Sequence, residues 1–116
     1  KVFGAEPAGA DDAARSLRSG VRVESNVPNT IADGLRTTLS PLTFSILKQN
    51  VQDIITIDDQ AIISAMKLIW ERMKIIVEPS SATALAAVAA EREQFAGCRV
   101  GIILSGGNVD LDNLPW

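Results

Sequence analysis

Arg99-Val-Gly-Ile-Ile-Leu-Ser-Gly-Gly-Asn108 is a short aliphatic run that stops abruptly in a polar, glycine-rich turn. Val100, Ile102, Ile103 and Leu104 make the unbroken β-branched and aliphatic pattern of a strand covered on both faces, the usual state of a parallel strand in an α/β protein. Ligands of such sheets collect at the carboxyl ends of the strands. There Ser105 offers a hydroxyl that donates and accepts, Gly106 and Gly107 allow close approach of the backbone to a ligand, and Asn108 adds an amide. A plain strand-to-loop exit would use the same residues, since Ser-Gly-Gly is ordinary turn chemistry. The reading predicts a buried strand delivering a binding loop.

Working outward, the rest of the chain alternates strand and helix signals. Lys1 to Ala5 reads as a short strand and Glu6-Pro7-Ala8-Gly9 as the turn at its end. A helix follows, with Asp11 as its cap, Asp12 in the first turn and Gly20 as its stop. Residues 21–30 lack a sustained period and contain Pro28 and Asn29, so they form an irregular connection. Ser40 and Pro41 open a helix to Val51 with Leu42, Ile46 and Leu47 on one face. Asp53 to Ile57 is the next strand, and Asp58 or Asp59 starts a helix to about Met73. Its apolar face is Ile62, Met66, Ile69 and Met73, widened by Ile63 and Trp70. Pro79 opens the last helix, predicted over Ala82 to Phe95 with Leu85, Val88 and Ala89 on its buried side and Gly97 as its stop. Cys98 is expected to be a buried, inert thiol. Strands alternating with helices predict an α/β layer structure with a mostly parallel sheet and no internal domain boundary.

Composition narrows the chemistry. The chain has 116 residues, 47% hydrophobic and only 4% aromatic, so the core must be built from aliphatic and alanine packing. A net charge of −3 with interspersed signs supplies no basic stripe for nucleic acid. The sequence has no histidine, which removes Ser-His-Asp and Cys-His nucleophiles and imidazole metal sites together. One cysteine permits no internal disulfide and suits a reducing, cytoplasmic setting, and no apolar run is long enough to span a bilayer. The chain starts without methionine and reads as a fragment.

Two local clusters invite a chemical reading. Glu6, Asp12 and the Ala10 carbonyl could together offer oxygens to a hard cation, magnesium or calcium, although acidic capping explains the same spacing. Ser45 and Lys48 match a Ser-x-x-Lys nucleophile pair, but neither a Ser-Asp-Asn nor a Lys-Thr-Gly partner accompanies them, so they are assigned no role.

Four ordered motifs carry a resemblance. Ala5-Glu-Pro7 with Ala10-Asp-Asp12, Thr30-Ile-Ala-Asp-Gly34, Trp70-Glu-Arg-Met-Lys74 with Glu78-Pro79, and Ser105-Gly-Gly-Asn-Val-Asp110 resemble the serine racemase and serine/threonine dehydratase family of fold type II pyridoxal-phosphate enzymes. The resemblance implies the C-terminal part of the cofactor-binding domain, with the cofactor lysine and phosphate loop upstream of Lys1. It implies elimination or racemisation on a small β-hydroxy amino acid: serine, threonine or 3-hydroxyaspartate. Alone, the chain would be a non-catalytic cation- or cofactor-binding fragment; with the remainder of the parent chain it would form a homodimeric enzyme. Residue by residue, the resemblance puts Ser105 at the pyridine nitrogen, Gly34 and Glu78 beside the cofactor, and Thr37 facing the substrate. Glu6, Ala10 and Asp12 would stand around a divalent cation, and Lys74 and Asn108 near a nucleotide.

Overall fold

The computed structural model describes residues 1–116. Its centre is a parallel pair of strands, β1 (Val2–Pro7) and β2 (Val51–Ile57), in register from Phe3 opposite Asp53 to Pro7 opposite Ile57. Side chains alternate across β2, so Ile54 points to one face and Ile55 and Ile57 to the other. Gly4 admits the closest approach of the pair, because a Cβ there would lie 2.9 Å from Cγ1 of Ile54.

On the Ile54 face pack Ala13 and Ala14 of α1 (Asp12–Ser19), followed in sequence by α2 (Pro41–Asn50). On the opposite face lie α3 (Asp59–Met73) and α4 (Pro79–Ala90), whose Ile62, Met66, Ile69, Ala82 and Ala86 form the main core with Ile55 and Ile57. Alanines on α4 let its axis come close, which is how a chain poor in aromatics fills its interior. Helix boundaries follow local chemistry. Ser40 and Asp58 accept the amides of Thr43 and Ala61 as N-caps, Pro41 and Pro79 open their helices, and Gly20 ends α1 at φ 74°.

Several expectations are corrected. Residues 99–104 are not a strand: β1 and β2 alone make the sheet, Val100 is exposed and Ile103 is 84% exposed. A strand exists by its ladder bonds, and here residues 98–103 line a cleft of about 1030 Å³ together with β1 and do not pair with it. Only Leu104 and Val109 of the final segment pack on the core. The last helix ends at Ala90 and gives way to turns over Glu91 to Gly97; within it Ala89 is exposed, Leu85 and Val88 are half-buried, and the buried residues are Ser81, Ala82, Thr83, Ala86 and Ala87. Met73 and Cys98 are exposed rather than buried. Leu42 and Ile46 of α2 are exposed as well, so that helix buries no residue. Glu6 and Pro7 belong to β1, and the turn after them is a single 3-10 turn, Ala8–Ala10.

Candidate functional site

The N-terminus of α4 gathers the two glycine loops. Extended backbone at Glu78 precedes Pro79, so the Glu78 side chain leaves the helix and meets the loop after Leu104. Its amide donates to the Gly106 carbonyl at 3.1 Å, and its Oε2 accepts the Asn108 amide at 2.8 Å. The neighbouring Ser81 hydroxyl accepts the Gly106 amide at 2.7 Å. Ser80 reaches the other way and accepts the Gly34 amide at 3.1 Å. Both glycines sit tightly against side chains: a Cβ on Gly106 would lie 2.6 Å from the Glu78 carboxylate, and one on Gly34 would lie 3.0 Å from Ser80 Oγ and 3.7 Å from Glu78 Oε1. Gly34, Glu78, Gly106 and Asn108 are therefore contiguous, and Ser105 stands exposed at the rim of this group.

The Gly34 loop is fixed from its other end by Asp59 at the start of α3. Asp59 accepts the Thr30 hydroxyl and the Ile31 amide, and Thr30 Oγ1 in turn accepts the Ala32 amide. The sequence alone assigns Asp59 no role beyond an alternative helix start, and none to Ser80 or Ser81. Serines in the first turn of a helix seek backbone partners, but which loops they meet is decided by tertiary packing.

A second polar cluster sits where β1 turns into α1. Asp11 makes no capping bond and pairs with Arg15 at 2.8 Å; the expected cap is supplied instead by Glu6, whose carboxylate accepts the amides of Ala13 at 3.3 Å and Ala14 at 2.8 Å. Ala13 and Ala14 are the second and third residues of α1, whose amides have no acceptor within the helix, and the Glu6 carboxylate supplies one. Asp12 is 1% exposed; its Oδ1 accepts from Asn26 at 3.3 Å, while Oδ2 is buried without a partner. Burial pushes the Glu6 carboxyl up from 4.5 to about 7, opposed by the Ala14 amide and reinforced by the charge of Asp12. A buried carboxylate oxygen lacking a donor, beside a second carboxylate, is chemistry suited to a hard cation, although no three His, Cys, Asp or Glu side chains gather anywhere in the chain.

The remaining expected residues lie apart from these clusters in kind. Thr37 is exposed just beyond the Asp33–Leu35 turn. Lys74 ends α3 in the left-handed region at φ 58° and is exposed. Ser45 and Lys48 bond to the carbonyls of Leu42 and Gly20, so they form no nucleophile pair.

The chain is thus an α/β layer structure in which two glycine loops converge at the start of α4. Residues 1–106 match the family model of pyridoxal-phosphate dependent enzymes, and the chain belongs to that family. It is 50% identical over its whole length to a beta-hydroxyaspartate dehydratase of Paracoccus denitrificans and covers 37% of that protein. Against a serine racemase of Dictyostelium discoideum it is 54% identical over 98% of its length, covering 36% of the relative. Its structure superposes on 36% of maize serine racemase with a TM-score of 0.90 and 44% identity, using 97% of this chain. The chain thus spans little more than a third of the relatives it matches.

Proposed function

We propose that this chain is the part of a pyridoxal-phosphate-dependent lyase or racemase that holds the ring side of the cofactor, and that the full-length protein acts on a small β-hydroxy amino acid. The observation that carries the reading is the convergence of Gly34, Glu78 and Gly106 at the N-terminus of α4, with Ser105 at its rim. The glycines let the two loops close on the side chains of Glu78 and Ser80, which brings Ser105 to the start of α4. Ser105 would present its hydroxyl to the pyridine nitrogen, and Glu78, held by the Asn108 amide, would keep the loop in place behind it. A neutral hydroxyl at that nitrogen does not stabilise a proton there, in contrast to an ionised carboxylate. When bound, pyridoxal phosphate supplies the electron sink that makes the substrate α-proton removable. Thr37 would face the substrate, and Lys74 and Asn108 would stand near a regulatory nucleotide.

Glu6, the Ala10 carbonyl and Asp12 would hold magnesium or calcium, a reading supported by the unpartnered Asp12 oxygen. The parent protein is read as a cytoplasmic homodimer, in keeping with the exposed free thiol of Cys98. We read the chain as the C-terminal part of the cofactor domain.

The full-length protein, loaded with pyridoxal phosphate, should release a 2-oxo acid from L-serine, L-threonine or 3-hydroxyaspartate, or convert L-serine to D-serine. The names of relatives support both the serine and the 3-hydroxyaspartate reading, with a serine racemase at 54% identity and hydroxyaspartate enzymes at 50% and 46%. Oxo-acid assay and chiral chromatography on the three substrates decide among them. A full-length protein that takes up no pyridoxal phosphate would overturn the proposal.

A further inference from the structure

Ser81 lies one position beyond Ser80 in the first turn of α4 and is 4% exposed. Its hydroxyl oxygen accepts the Gly106 amide at 2.7 Å, the shortest of the bonds that hold the loop. The carbonyl on the other side of Gly106 is held by the Glu78 amide at 3.1 Å. Peptide planarity makes the first of these bonds act on Ser105: fixing the N–H of Gly106 fixes the whole Ser105–Gly106 peptide plane. With that plane set, Ser105 retains only its own backbone entry and one side-chain torsion with which to choose a direction. An exposed serine followed by two glycines would otherwise be free to turn.

We propose that Ser81 is a positioning residue: its buried hydroxyl holds the Ser105–Gly106 peptide so that the Ser105 hydroxyl meets the pyridine nitrogen. The proposal rests on the functional reading above. It also divides labour between adjacent serines, with Ser80 holding the Gly34 loop and Ser81 the Ser105 loop, so that one helical turn anchors both glycine loops. Ser80 is the more exposed of the two anchors, and its bond is longer.

The test uses the full-length protein and three substitutions. Ser81→Ala removes the acceptor, Ser81→Cys preserves side-chain size but accepts weakly, and Ser81→Thr restores a hydroxyl. Ser81→Ala and Ser81→Cys should still bind pyridoxal phosphate, but with altered absorption and emission of the bound cofactor. Their kcat should fall by about 10- to 100-fold with KM little changed, as a misdirected group at the reacting centre does. The Gly106 amide should exchange its hydrogen roughly tenfold faster, reflecting one lost hydrogen bond. Ser81→Thr should recover the spectrum, the rate and the protection. Variants whose melting temperature falls while spectrum and kcat stay those of the wild type would overturn the proposal, because a purely structural serine behaves that way. A wild type that binds pyridoxal phosphate beside an unaffected Ser81→Ala overturns this inference alone; a wild type that binds none overturns the functional reading and this inference with it.

Discussion

Glu78 and Gly106 are matched in two ways at once: the Glu78 amide donates to the Gly106 carbonyl at 3.1 Å, and the Glu78 carboxylate fills the volume that a side chain on Gly106 would need. The glycine is thus a seat for an acid.

Gly106→Ala tests that match. The obstructing atoms belong to the far end of a flexible side chain, so the carboxylate can swing away, but it then releases the Asn108 amide. Loss of that charge-assisted bond should cost about 1.5 to 3 kcal/mol in thermal unfolding of the full-length protein, with weaker pyridoxal-phosphate binding. Unchanged melting and unchanged cofactor affinity would remove Glu78 from the site.

Gly9→Ala should be much less forgiving. A Cβ there would lie 1.8 Å from the Asn29 carbonyl oxygen, which is backbone, and the Gly9 carbonyl also accepts the Asn29 amide. The turn that carries Ala10 must then open, costing upwards of about 3 kcal/mol. Equal stability of the Gly9→Ala and wild-type proteins would contradict the close approach.

The cation reading is tested by stability with and without metal. Magnesium or calcium at a hundred times its Kd should add about 2.7 kcal/mol to the folded protein if the unfolded chain binds none. Glu6→Gln and Asp12→Asn should abolish that gain. If Asp12 were only a first-turn acid, its replacement would cost about 0.3 to 1 kcal/mol whatever the metal concentration. A wild type indifferent to both ions would leave the cluster as capping chemistry.

Glu6 also predicts a pH dependence in chelator-treated protein. Between 4.5 and about 7 the folded chain retains a proton that the unfolded chain has released, so the folded state binds more protons and stability falls as pH rises through that window, then levels off. Thermal melting across the window should show the fall in the wild type and a flatter profile in Glu6→Gln. Identical slopes would assign the effect to other groups.

Ser105→Asp places a carboxylate where a neutral hydroxyl stands. In the loaded full-length enzyme it should favour a protonated ring nitrogen, shift the cofactor spectrum and change the ratio of racemisation to elimination. A product ratio and spectrum like those of the wild type would separate Ser105 from the ring.

What could be read from the sequence was whatever local chemistry dictates. The apolar period of Ile62, Met66 and Ile69 produced α3, and Ser40, Asp58, Pro41 and Pro79 marked helix starts that the structure retains. The parallel pairing of β1 with β2 followed from the alternation of strand and helix. Residues 99–104 show the limit. Their aliphatic pattern states a preference for burial, but a ladder needs a neighbour at hydrogen-bonding distance, and none borders them. The capping of α1 shows the same limit at smaller scale: Asp11 had the expected position, yet Glu6 took its amides from across the turn. Ser80 and Ser81 carried a local signal for bonding backbone, while the identity of the two loops they hold lies in packing over separations of 46 and 25 residues.

The cleft between β1 and the segment around Val100 bears on handling of the chain by itself. One side of β1 is paired to β2 and the other has no ladder, with Val2 and Ile103 exposed nearby. Unpaired N–H and C=O groups beside aliphatic side chains are a template onto which another copy can add as a strand. Expressed without the rest of its parent protein, the chain should therefore self-associate along this edge in a concentration-dependent way, and a lysine or proline introduced on the open side of β1 should keep it dispersed.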